Sequence, residues 1–199
     1  MKIGVDLDDV LADTWNETRK FLNRRFGKNL TNKDFNDFGL AKTYGVSNDE
    51  VRKAFADAFN NGLYLNAKLI KGAVSGIGRL EDGNELYIIT SRPRYIEGDT
   101  YSWVEKNFPS KFKEVRFSSH TTDLKEDTEK ETKAEICKEL GVLLMIDDNL
   151  DNLEECARAG VKGIVLDLDG NYNWNHRERE PDGVERAFSW KEIVKIAQS

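Results

Sequence analysis

The chain is 199 residues long and 39% hydrophobic, with 30 Lys+Arg against 36 Asp+Glu for a formal net charge of −6. That length suits one well-packed domain with a small accessory module. The negative balance argues against a surface for a nucleic-acid polymer or an anionic membrane, but not against a small anion held by a local cation. The apolar runs are too short to span a bilayer, and a strand beginning at residue 2 predicts a chain without a signal peptide. Cys137 and Cys156 fall in helical patterns and read as small core residues of a reduced, cytoplasmic protein. His120 and His176, the two histidines, lie in polar loops and read as surface residues, which argues against a His-based zinc site.

In chain order, Ile3 and Val5 begin a buried strand that ends in Asp6, Asp8 and Asp9. Trp15, Thr18, Phe21, Leu22 and Phe26 recur at helical spacing, and Gly27 closes that helix. A mixed loop, 28–45, carries Phe35, Phe38 and Tyr44. Ser47 and Glu50 form a capping box that opens a helix with Val51, Ala54, Phe55 and Ala58 on its apolar face. No clear strand appears over about sixty residues, too many for an ordinary βα connection. Residues 14–70 are therefore expected to form a helical cap inserted into a core built from 1–13 and 71–199.

The α/β pattern returns from Lys71, where Ala73, Val74, Ile77 and Leu80 mark a helix ending at Asp82-Gly83. A strand at Leu86–Ile89 ends in Thr90-Ser91-Arg92-Pro93, and a helix follows around Tyr101 and Val104. A weaker strand covers Glu114–Phe117, and His120 to Glu131 reads as an exposed loop. Thr132 and Glu135 cap a helix that begins at Lys133 and stops at Gly141. The apolar strand Val142–Ile146 runs into Asp147-Asp148-Asn149. A helix and a fifth strand, Gly163–Leu166, come next. The tail from Asp167 is read as loop until Ser189 caps a last helix. Trp174 is expected to dock that tail. Strands alternating with helices predict an α/β fold, a doubly wound parallel sheet of five strands.

In such a sheet the strand C-termini share one edge, where ligands bind. Asp6 and Asp8, Thr90 and Ser91, and Asp147 and Asp148 would meet there, with Lys133 at the start of the helix before the last pair. Carboxylates crowded at a strand mouth favour a hard cation such as Mg²⁺. A hydroxyl and an ammonium suit phosphate oxygens. Taken singly, each residue has a plainer reading: Thr90 a strand-end hydroxyl, Lys133 a solvated lysine, Asp9 a loop-orienting acid, Asp13 and Asn149 helix caps. The coincidence of four groups at matching topological positions is far more specific than any one of them.

Asp6-Leu7-Asp8-Asp9-Val10 resembles the DxDx[TV] motif of the haloacid-dehalogenase (HAD) superfamily. Ile88-Ile89-Thr90-Ser91 resembles its second motif, Lys133 its third and Asp147-Asp148 its fourth. The early cap, the Thr-Ser pair and the late Trp-Asn segment are similar to those of the 5'(3')-deoxyribonucleotidases. The resemblance implies a Mg²⁺-dependent phosphomonoesterase of (deoxy)nucleoside monophosphates. Asp6 would be the nucleophile and Asp8 the acid and base. Thr90, Ser91 and Lys133 would bind phosphate, and Asp6, Asp8 and a fourth-motif acid would hold the metal. Asp147 is the first candidate for that acid and Asp148 for its support, with the reverse order open. A sugar phosphatase, a phosphotransferase using the same aspartyl phosphate and a non-catalytic binding module are the competing readings. Among cap aromatics, Phe21 and Phe55 read as packing, with Trp15 and Phe59 mostly so. One of Phe35, Phe38 and Tyr44 is a candidate to stack on a base. Arg92 and Arg94 are either solvated charges or contacts to a second substrate group.

Overall fold

A computed structural model describes residues 1–36, 39–118, 131–168 and 173–199. Phe38, His120 and nearly all of the polar loop from His120 lie outside them.

The sheet is parallel and six-stranded. Its strands are β1 (Lys2–Val5), β4 (Glu85–Thr90), β5 (Glu114–Phe117), β6 (Leu144–Asp147), β7 (Lys162–Leu166) and β8 (Val184–Ala187), in spatial order β5-β4-β1-β6-β7-β8. β1 and β6, central neighbours in register at Ile3–Leu144 and Val5–Ile146, bring Asp6 beside Asp147. β8 corrects the expectation of five strands and a tail that is loop until Ser189. Its Val-Glu-Arg-Ala sequence carries two charges in four residues, so no apolar run announces it. It pairs as the sheet edge, where such charges discourage further pairing.

Helices cover both faces. α4 (Ala73–Leu80), α5 (Glu97–Asn107) and α8 (Trp190–Ala197) pack on one side, with Ile3, Val5, Ile88 and Ile146 in their core. α6 (Lys133–Leu140) and α7 (Leu150–Arg158) pack on the other, around Ile89, Met145 and Val165. Cys137 and Cys156 are free and buried in that second layer.

Between β1 and α4 the chain leaves the sheet and returns through a two-stranded antiparallel ribbon, β2 (Ala12–Asp13) with β3 (Lys68–Leu69). The segment they enclose holds α1 (Trp15–Phe26), α2 (Leu40–Tyr44) and α3 (Asn48–Asn60). These helices bury a cluster of their own around Leu22, Phe35, Tyr44, Ala54 and Trp174.

Trp190 locks α8 to the loop that follows β1. Its indole N–H donates to the Val10 carbonyl at 2.8 Å, and its ring lies against Gly76 of α4, where an added Cβ would overlap it. Overpacking costs about 1–3 kcal/mol. With the ring fully buried and hydrogen-bonded, the overlap exceeds the ~1 kcal/mol that alanine gains over glycine in a helix. Gly76→Ala is therefore expected to lower unfolding stability by roughly 2 kcal/mol, read as a lower urea midpoint at unchanged slope.

Candidate active site

The strand β1 ends at Val5, and alternation then decides the geometry. Asp6 and Asp8 point one way, and Leu7 between them goes into the core, fully buried. The turn comes at Asp9, whose φ of 57° is left-handed, a conformation Asp tolerates better than most residues. Asp9 is then spent on α1: its carboxylate accepts from the Trp15 N–H at 2.9 Å and from the Thr14 hydroxyl at 3.3 Å. This makes Asp9, rather than Asp13, the side chain that caps that helix. Asn149 caps α7 as expected, accepting from the Asp151 N–H at 2.8 Å.

Lys133 is the hub. Thr132 caps α6 through its hydroxyl and Glu135, which sets the first helical residue over the strand ends. The Lys133 ammonium is buried and lies 2.7 Å from Asp6 Oδ2 and 2.7 Å from Asp147 Oδ2. Those two carboxylates hold its pKa above the ordinary lysine value despite burial. Asp6 is nonetheless pushed up to about 7: burial outweighs Lys133, and Asp147 and Asp8 add repulsion. Asp6 Oδ1 accepts from the Leu7 N–H at 2.7 Å.

The two fourth-motif acids differ. Asp147 is fully buried and its oxygens are occupied, by Lys133, by the Asn149 N–H at 2.9 Å and by Asn152 Nδ2 at 3.3–3.4 Å. Asp148 faces the cavity. Burial, with Asp9, Asp147 and Asp6 nearby, holds its pKa well above the ordinary carboxylate range. Carboxylate oxygens of Asp6, Asp147 and Asp148 lie within 4.8 Å of one another.

Asp8 meets Arg92 in a bidentate pair, Nε at 3.0–3.1 Å and Nη2 at 2.7 Å. The guanidinium is fully buried and lies over the Tyr64 ring, 5.0 Å from its centroid. Arg92 is thus a buried charge paired with Asp8 and not a solvated one; it also lines the cavity, and its Nη1 has no hydrogen-bond partner. Ser91 lines the cavity with its hydroxyl 2.9 Å from that of Ser118. Thr90 is fully buried, and its hydroxyl accepts from the Arg92 N–H at 3.2 Å, leaving its own O–H to donate.

Four carboxylates, Asp6, Asp8, Asp147 and Asp148, thus face two cations, Lys133 and Arg92. Two formal negative charges remain in a buried, all-oxygen donor set, and this suits one hard divalent cation. The residues fit such an ion.

Above these groups a cavity of about 520 Å³ opens toward the helical segment, with Trp15, Phe55, Phe59, Tyr64 and Tyr95 on its walls. Phe35 and Tyr44, expected as candidates to stack on a base, are buried in the α1–α3 cluster and do not reach it. Phe35 packs edge-on against Trp15 at 4.8 Å. From the same 28–45 segment, Gly39, Leu40 and Ala41 do line the cavity. The wall residues escaped sequence reasoning because Phe55 and Phe59 sit on a helix that packs on two sides. Tyr64 and Tyr95 stand in turns with no pattern around them.

Removing the hub tests the electrostatics. Lys133→Met leaves Asp6 and Asp147 buried without their cation, a change that costs about 3–5 kcal/mol in other buried pairs. A carboxyl whose folded pKa is raised contributes stability at low pH that is lost as pH rises through the folded value. The deficit of the variant is therefore expected to be full at pH 8 and smaller at pH 5, where Asp6 is protonated. Urea denaturation in EDTA at both pH values checks this.

The comparisons agree with this geometry. The family model for 5' nucleotidase, deoxy (pyrimidine), cytosolic type C protein (NT5C) matches residues 1–198. A nucleotidase of Clostridium acetobutylicum is 27% identical over 198 residues, covering 98% of this chain and 93% of that one. A 5'(3')-deoxyribonucleotidase of Bacillus subtilis is 26% identical over 193 residues, covering 96% and 95%. Among solved structures, the HAD-type hydrolase YfnB of Bacillus subtilis, bound to magnesium, superposes with a TM-score of 0.63. It is 16% identical, with 100% of this chain and 98% of that one covered, and shows the shared fold. No described helix is long and apolar enough to cross a membrane. With the family match spanning essentially the whole chain, this protein belongs to the NT5C family of HAD-type phosphohydrolases.

Proposed function

We propose that the chain is a Mg²⁺-dependent, cytoplasmic phosphomonoesterase that hydrolyses (deoxy)nucleoside monophosphates through an aspartyl phosphate on Asp6. The observation that carries this reading is Asp6 at the floor of an aromatic-walled cavity, ion-paired to Lys133 and close to Asp148. A volume of about 520 Å³ falls within the range of small-ligand pockets. Five aromatic rings supply a stacking surface for a base. The helices within 14–70 act as the cap that selects the substrate, over a core made of 1–13 and 71–199. The two free, buried thiols suit a reducing compartment.

The Asp6 carboxylate attacks phosphorus, and the ester P–O bond breaks as the O–P bond to Asp6 forms. Asp8 gives its proton to the departing alkoxide, then takes one from the water that attacks the phosphoenzyme. That attack restores the Asp6 carboxylate and releases phosphate. Lys133, Ser91 and Thr90 hold the transferring oxygens, their donors already oriented by α6 and the end of β4. Bound magnesium supplies charge neutralisation between the anionic nucleophile and the anionic phosphoryl group. Asp6, the Asp8 carbonyl and a fourth-motif acid would hold it. Asp148 is put before Asp147 for that place because it lines the cavity while Asp147 is fully buried, with Asp147 as the alternative.

The test is a panel of 5'- and 3'-mono- and deoxymononucleotides against sugar phosphates, with MgCl₂ or with EDTA. Mononucleotides are expected to be the preferred substrates, with turnover lost in EDTA. Asp6→Asn should lower kcat by at least roughly 10³-fold while leaving the urea midpoint near or above that of the native chain. Turnover of sugar phosphates alone would remove the nucleotide assignment. Native activity in Asp6→Asn would remove the covalent route.

A further inference from the structure

The tail of the chain reaches back into the active site through a residue that the chemistry does not use. Asn175 is fully buried at the end of the helical turn Asn173–Asn175. Its carboxamide spans the loop that carries Asp148. Oδ1 accepts from the Leu150 N–H at 3.0 Å, and Nδ2 donates to the Asp148 carbonyl at 2.6 Å. One side chain thus grips this loop on both sides of Asn149, where the strand hands over to α7. Only an amide fits both partners: a carboxylate cannot donate, and a hydroxyl is too short to span them.

The Asn175 main chain is anchored separately. Arg186 Nη2 donates to its carbonyl at 2.8 Å, and Arg186 Nη1 lies 2.5 Å from Asp167 at the end of β7. On the other side, Trp174 packs edge-on against Trp15 of the cavity wall at 5.5 Å. Asn173 donates to the Lys33 carbonyl at 2.9 Å. The turn therefore joins the sheet edge, the α1–α3 segment and the Asp148 loop.

We infer that Asn175 is a positioning residue for the divalent cation, holding the Asp148 carboxylate toward Asp6 by fixing the loop on which it stands. The inference rests on the reading that Asp148 is a metal ligand. Groups that orient ligands from behind govern metal affinity by about 10–100-fold. A carboxylate already desolvated among other acids has no reason to keep that orientation unless its backbone is fastened.

Isothermal calorimetry of MgCl₂ into the metal-free full chain tests it. Asn175→Leu, nearly isosteric but unable to hydrogen-bond, is expected to weaken Mg²⁺ binding about tenfold. Asn175→Ser, which retains one hydroxyl and leaves room for water, should fall between it and the native chain. In both, kcat at saturating Mg²⁺ should recover most of its native value. Gly76→Ala, which disturbs the contact of α4 with Trp190 and leaves Asn175 and its anchors in place, is expected to lower the urea midpoint and leave Mg²⁺ affinity unchanged. On the unaltered chain, the Asn175 side-chain amide resonances should shift on Mg²⁺ addition, a readout independent of whether any variant folds. Unchanged affinity in Asn175→Leu, equal weakening in Gly76→Ala, or an unmoved Asn175 resonance overturns the inference alone. No Mg²⁺ binding by the native chain overturns the metal assignment, and the inference with it.

Discussion

One ammonium between two buried carboxylates is the constraint on which the rest of this structure depends. Asp6 and Asp147 stand at the ends of adjacent parallel strands, and parallel pairing in register makes their approach unavoidable. Two ionised acids this close in a buried site repel each other strongly. Lys133 removes that cost at 2.7 Å from each. It can do so only because α6 begins where it does, with the Thr132–Glu135 capping box fixing the first turn. The capping box, a matter of local backbone chemistry, thus decides whether the central strands can end in acids at all. Asp6 and Asp148, both held above the ordinary carboxylate range, border the cavity together with Asp8 and Asp9.

Charge is distributed in the same spirit at the other end of the site. Asp8 lies outside the reach of Lys133 and has a cation of its own in Arg92, contributed from 84 residues away by the loop after β4. Arg92 in turn rests on Tyr64, close to the ribbon by which the chain returns to the sheet. The two acids of the first motif therefore answer to different partners. Asp6 answers to the core layer and Asp8 to the junction between the core and the helical segment. A guanidinium held on an aromatic face and forked onto a carboxylate loses little freedom on pairing, so Asp8 is oriented before any ligand arrives.

The acids and the lysine were legible in the sequence because each follows a signal that reports position along an element. Asp6, Asp147 and Asp148 follow apolar strand runs, and Lys133 follows a cap. A parallel sheet converts position along a strand into position at an edge, so these residues could be brought together without coordinates. What was not legible depends on contacts between layers. β8 is an edge strand with charges in its middle, and only its pairing with β7 defines it. The cavity wall uses Phe55 and Phe59 on α3, whose apolar residues serve both the α1–α3 cluster and the space over Asp6. Helical periodicity cannot separate two apolar uses of one helix. Phe35 and Tyr44 lie in and beside an aperiodic loop, which in sequence resembles exposure; in space they fill the centre of the helical cluster. The partners of Arg92 and Asn175 are 84 and 25–27 residues distant, and a hydrogen bond across such separations leaves no local pattern.

The division between what could and could not be read follows the division of labour in the molecule. The acids sit on elements whose geometry is set by backbone pairing, where tolerances are small. The cavity wall sits on helices held by side-chain packing, which accepts substitutions of similar size at modest cost. The two layers meet through a two-residue ribbon, the Asp9 bonds to Thr14 and Trp15, the Phe59–Tyr95 and Arg92–Tyr64 contacts and the Asn173–Asn175 turn. Change in the wall reaches the acids through contacts of this kind, and the last of them ends on the carbonyl of Asp148. A fold built this way can alter what it admits to the cavity while keeping the arrangement of charge beneath it, because different forces maintain the two.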